Sequence, residues 1–112
     1  GSEAQFTLAQ IHFDQDNLES AKMDIQDLLK MKPSYDFWIA KGLILKSKIL
    51  VKEEGLFQAE QNLKAVIEHY PIQDDGILEE ANELMQKIEI LKNPVNEETE
   101  EDPETKIEID ED

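Results

Sequence analysis

The sequence predicts an all-α chain built as an antiparallel helix-pair solenoid of about five helices, followed by a disordered acidic C-terminal tail. Three observations predict it. Ala21, Ile25, Leu28, Leu29 and Pro33 recur 38 residues later as Ala59, Leu63, Val66, Ile67 and Pro71, and self-similarity at such a period is the mark of stacked helical units. Apolar residues fall at helical spacing between breaks at proline and glycine. Ten of the 27 acids lie in residues 93 to 112 against the single Lys106, a balance of −9 that leaves residues 1 to 92 with −7 of the total −16.

The elements follow in order. A first helix is expected from about Glu3 to Phe13, with Phe6, Leu8, Ala9 and Phe13 at helical spacing and Asp14 to Asn17 forming the turn. A second runs from about Leu18 to Met31 and stops where Lys30 and Lys32 meet the helix dipole and Pro33 forbids continuation. The third is expected over roughly Asp36 to Glu53, closed by Gly55. The fourth spans about Leu56 to His69 and ends at Tyr70-Pro71, because the residue before proline is pushed out of helix. A fifth, about Gly76 to Lys92, is capped by Asp74 or Asp75. It carries Ile77, Leu78, Ala81, Leu84, Met85 and Ile88 inward and turns Glu79, Glu80, Glu83 and Lys87 outward, as a terminal capping helix must.

Composition excludes several function classes. The net charge of −16 repels phosphate backbones and anionic lipid headgroups, which need clustered positive charge, so nucleic acid is not an expected partner. All eleven basic residues are lysines, and the forked donor that grips phosphate best is missing. Without cysteine there is no disulfide framework, thiolate nucleophile or cysteine metal site. No stretch approaches the roughly 20 apolar residues that span a bilayer. Gly1-Ser2 reads as an expression-tag remnant, and a chain starting at Glu3 inside a helical pattern is expected to be a fragment, which leaves the compartment open.

The pattern of small and large residues resembles the tetratricopeptide repeat family, whose repeat runs from an aromatic or large residue through Leu-Gly and Tyr to Ala, a large apolar residue and Pro. Gln5, Leu8, Ala9, His12, Ala21, Ile25 and Pro33 occupy these positions in residues 3 to 33, and Leu43, Lys46, Ser47, Leu50, Ala59, Leu63 and Pro71 do so in residues 34 to 71. A cap over 72 to 92 completes the unit. The first helix of the second repeat is longer by about a turn, which accounts for a spacing above the family's usual value of about 34. Gln5 replaces the family's aromatic and Lys46 stands where leucine packs. The third helix could therefore be rotated or shifted by a turn, with Trp38 in the aromatic role. The run Gly55 to Ala59 and the cap after Pro71 look most like the C-terminal end of a bacterial member.

The resemblance implies a scaffold or adaptor binding a peptide or protein segment in a concave groove, which carries over to Glu3, Phe6, Gln10 and Phe13 and to Lys41, Ile44, Lys48, Val51 and Lys52. Phe6 and Gln10 do not match the family's carboxylate-clamp subset. At about 100° per residue the three lysines fall within roughly 40° of one helix face. Such a stripe either holds an acidic segment over an apolar floor of Ile44 and Val51, or is a solvated face paired with Glu53 or Glu54 at ~0.3 kcal/mol per pair. Tyr35, Phe37 and Trp38 are either a hot spot or the core of the junction between repeats. His12 is expected half-buried in the core and His69 beside a helix end, and neither has a metal ligand's spacing.

The acidic tail is either a solubilising extension, a segment that folds back onto the groove, or a charge-based capture arm for basic proteins. Two further alternatives remain: a terminal cap without a partner of its own, and self-association through the exposed face of the N-terminal repeat. No cofactor, metal or catalytic residue is expected.

Overall fold

The computed structural model describes residues 1–94, and among them the fold is all-helical, with five α-helices and no strand: α1 (Ser2–Asp14), α2 (Leu18–Lys30), α3 (Asp36–Lys52), α4 (Leu56–His69) and α5 (Ile77–Lys92). Everything expected of the tail from residue 95 onward lies outside the described residues. Each helix begins and ends within two residues of the sequence expectation.

The turns after α1 and α3 are the same motif 38 residues apart. Asn17 N–H donates to the His12 carbonyl (2.8 Å) and Asp16 N–H to that of Phe13 (2.9 Å). Gly55 N–H likewise donates to Leu50 (2.7 Å) and Glu54 N–H to Val51 (3.0 Å). This pair of bonds satisfies the last carbonyls of a helix through one left-handed residue. That residue is Asp16 (φ 61°) in the first turn and Glu54 (φ 66°) in the second. Gly55 was expected to close α3, but it has φ −91° and precedes α4; the left-handed position falls one residue earlier. Gly76 does take a positive φ, 90°, immediately before α5, where the Asp75 carboxylate accepts from Ile77 N–H (3.2 Å) and also from the Tyr70 hydroxyl.

Small residues set the distance within each hairpin. Ala9 and Ala21 are fully buried between α1 and α2, and Ser47 and Ala59 between α3 and α4. Ser47 Oγ–H has two carbonyls within reach, Leu43 (3.0 Å) and Ala59 (3.3 Å). Enclosing the hydroxyl therefore leaves no orphan donor. The register read from these pairs is kept in α3, and Lys46 is a half-buried residue on its far side.

Two apolar clusters follow. Ala9, Ala21, Ile25, Leu45 and Ile49 join α1, α2 and α3, and the interface is tightened at Gly42, where an added Cβ would lie 2.9 Å from Leu28 Cδ2. A larger cluster around Ile44, Leu63, Val66, Ile77 and Ile88 joins α3, α4 and α5. At its far edge Lys92 Nζ reaches both oxygens of the buried Glu60 (3.0 and 3.1 Å). This bond holds Glu60 below the usual carboxylate range and pins the end of α5 to the start of α4.

Candidate partner-binding groove

Helix α3 is central: α1, α2, α4 and α5 all pack against it. The strip of α3 left between α1 and α5 carries Lys41, Lys48 and Lys52. Lys41 Nζ lies 5.3 Å from the centre of the Phe6 ring and Lys52 Nζ 5.3 Å from that of Phe13, so the two phenylalanines of α1 form one wall. From the other side Glu80 of α5 reaches both neighbouring lysines, Oε1 to Lys41 (3.3 Å) and Oε2 to Lys48 (3.2 Å). Lys52 has Asp16 at 3.6 Å. Side-chain exposure rises along the row from 26% at Lys41 through 34% at Lys48 to 47% at Lys52, so the strip opens toward the C-terminal end of α3.

Phe6, Phe13, Lys41, Lys48 and Lys52 thus come together, whereas the remaining candidates do not. Ile44 was expected as an apolar floor but is enclosed, 1% exposed, in the larger cluster. At about 100° per residue it lies roughly 40–80° round α3 from the lysines, toward the cluster shared with α4 and α5. Val51 is half-buried against the same cluster. Gln10 projects outward and donates to Asp14 (2.9 Å) on its own helix.

Partners also differ from expectation. Glu53 does not pair with the stripe; it takes Lys22 of α2 (3.0 Å), and together with Glu19 raises the Lys22 ammonium above its usual range. Glu80, placed by the sequence on the solvated side of the fifth helix, is instead half-buried and turned toward α3. Two lysines on one carboxylate leave a net positive charge.

The aromatic trio is divided. Phe37 and Trp38 meet edge to face (4.8 Å), Trp38 also packs against Phe6 (5.7 Å), and Phe37 enters the larger cluster. Tyr35 stays exposed. His12 Nδ1 is 2.5 Å from Asp24 Oδ2, and Gln5 Nε2 donates to the Asp24 carbonyl (3.0 Å), so the histidine ties α1 to α2. Among the described residues no three His, Cys, Asp or Glu side chains form a group able to hold a metal ion, and no described helix is long and apolar enough to cross a membrane.

No family model matches the chain. Searches of curated proteins and of solved structures also return no match.

Sequence reasoning found the lysine row because periodicity on one helix is local. It missed Glu80 and left the place of Trp38 open between a hot spot and the core, because both depend on how α5 and α1 are rotated about α3. The nearest available signal was that Glu80 is two residues past Leu78 and adjacent to Ala81, at the border of the apolar stripe rather than opposite it.

Proposed function

We propose that this chain is a protein-interaction module of the tetratricopeptide type, two helix pairs and a capping helix, that binds an acidic peptide or protein segment along the strip between α1 and α5. The observation that carries the reading is the row Lys41, Lys48 and Lys52, walled by Phe6 and Phe13, with one carboxylate already seated on its first two members. A partner's Asp or Glu takes the place of Glu80, while apolar side chains beside it rest on the phenylalanine rings. The module acts by holding its partner, with no chemistry or cofactor of its own, and nucleic acid is not its ligand because the chain as a whole is strongly acidic.

A second reading has its own support in the exposed apolar residues Leu8 and Ile11 of α1, which suit a unit that ends a longer stack. A third assigns binding to residues 93 to 112, acting as an acidic chaperone-like arm for basic proteins. Panning a displayed random-peptide library against the full chain separates them. Groove binding predicts recovered sequences rich in Asp and Glu that are lost with Lys41→Glu/Lys48→Glu/Lys52→Glu. Recovery of Lys-rich and Arg-rich sequences, indifferent to that variant and abolished by removing residues 93 to 112, would assign binding to the tail.

A further inference from the structure

Helix α5 delivers the chain to the open end of the lysine strip. Lys92, its last residue, bonds both oxygens of Glu60 (3.0 and 3.1 Å) early in α4, and only residues 53 to 55 separate α4 from the end of α3. The end of α5 therefore lies at the same end of the molecule as Lys52, the most exposed of the three lysines. Residues 95 to 112, outside the described residues, continue from this point. Their charge is opposite to that of the strip. Lys22 is bracketed by Glu19 and Glu53 and Lys92 by Glu60 and Glu89, but the three lysines Lys41, Lys48 and Lys52 share only Glu80 and Asp16. One positive charge is left over, beside a segment that carries ten acids and one lysine.

We propose, on the groove reading given above, that residues 106–110 (Lys-Ile-Glu-Ile-Asp) seat on this strip in the same chain, so that the module carries a competitor for its own partner. The spacing selects this segment. In an extended chain Glu108 and Asp110 lie about 6.6 Å apart on one side, with Ile107 and Ile109 on the other. Lys48 and Lys52, four residues apart on a helix, are about 6 Å apart along it. The acids meet these two lysines on α3 while the isoleucines turn to the phenylalanine rings on α1, where Phe13 lies 5.3 Å from Lys52 Nζ. Entering from the open end places Glu108 at Lys52, Asp110 at Lys48 and Lys106 at the mouth, beside Asp16. The nearer run Glu97 to Asp102 supplies charge but no apolar residue. Reach is sufficient: the 13 residues from Pro94 to Ile107 span up to about 43 Å, more than the roughly 26 Å length of all 17 residues of α3.

The chain has no cysteine, so Thr105→Cys accepts a single nitroxide label on the full chain. Paramagnetic broadening is expected at the amides of Phe13 and of Lys48 to Lys52. It is expected to vanish with Ile107→Ser/Ile109→Ser, which keeps every charge and alters no residue of the five helices, and with Lys48→Glu/Lys52→Glu. A fluorescein-labelled peptide of residues 103–112, titrated by fluorescence polarisation, should bind the Ile107→Ser/Ile109→Ser chain several-fold tighter than the unaltered chain. With an effective concentration of about 1 mM for the attached segment, a peptide Kd of about 0.1 mM corresponds to a seated tail in roughly nine chains of ten and a tenfold difference. The proposal is overturned if the strip is not broadened, if broadening survives the isoleucine substitutions, if it appears in isotope-labelled chains mixed with separately spin-labelled ones, or if the peptide binds both chains equally. A panned acidic peptide that binds through the three lysines while the strip stays unbroadened keeps the groove and removes the tail from it. Broadening at the strip with no panned peptide bound there keeps the tail contact and removes the external partner.

Discussion

Ile11 and Ile49 are the same residue at the same position of two successive units, 46% exposed in one and fully buried in the other, so truncating each to alanine isolates what the cover of α2 contributes. At Ile49 the change removes three carbons, about 2.4 kcal/mol at ~0.8 kcal/mol per buried carbon, and leaves a void between α2 and α3 that raises the cost into the range of about 2–5 kcal/mol. At Ile11 roughly half of that transfer energy is at stake and no closed cavity forms. The higher helix propensity of alanine returns ~0.4 kcal/mol, for a net loss of about 0.5–1 kcal/mol. Urea unfolding followed by circular dichroism, with slopes compared before midpoints, gives both values. Equal losses at the two sites would mean that the α1 face is covered in the free protein, and a loss below about 1 kcal/mol at Ile49 would mean that α2 does not seal α3 as described.

Ser47→Ala, which restores the residue found at the equivalent Ala9, should change stability by less than about 1 kcal/mol, since a lost hydrogen bond is offset by helix propensity. Ser47→Leu should cost about 1–3 kcal/mol or more by forcing α4 away at Ala59, and a leucine variant as stable as the parent would contradict the close approach of α3 and α4. Burial, with the Asp75 carboxylate, pushes the Tyr70 phenol up to about 12. A group whose pKa is raised by folding contributes stability that is intact below its unfolded value near 10 and is lost as pH rises toward 12. Stability measured across that interval should therefore fall, and fall less steeply in Tyr70→Phe. The raised Lys22 and Lys92 ammonium groups add a slope of the same sign in both proteins. Identical slopes in the two proteins would remove Tyr70 from the account.

The helices were legible because their boundaries are set by local chemistry: proline after α2 and α4, aspartate at the start of α5, small residues where two helices touch. The one misplaced terminator, Gly55 for Glu54, shows that a left-handed residue can be an acid when two backbone bonds hold it. The site was legible only in part. The alignment of three lysines on one face is a property of a single helix, but Ile44 shares their neighbourhood in sequence and is nonetheless sealed in the cluster of α3, α4 and α5. Glu80 joins the row from 32 and 39 residues away. Such pairings depend on the rotation of α5 about its own axis, which a periodic pattern defines to within about one residue's 100°. The 38-residue echo, by contrast, held beyond the core positions that first displayed it: the two turns repeat bond for bond, and the open face of α1 can be read from its covered copy on α3.

The most direct test of the central proposal is a fluorescence-polarisation titration of one acidic, leucine-containing peptide recovered by panning into the full chain, the Glu80→Gln variant and the Lys41→Glu/Lys48→Glu/Lys52→Glu variant. The account predicts tighter binding to Glu80→Gln, which frees two lysines from their internal carboxylate, and loss of tenfold or more with the triple variant. Equal affinity for all three proteins would contradict it.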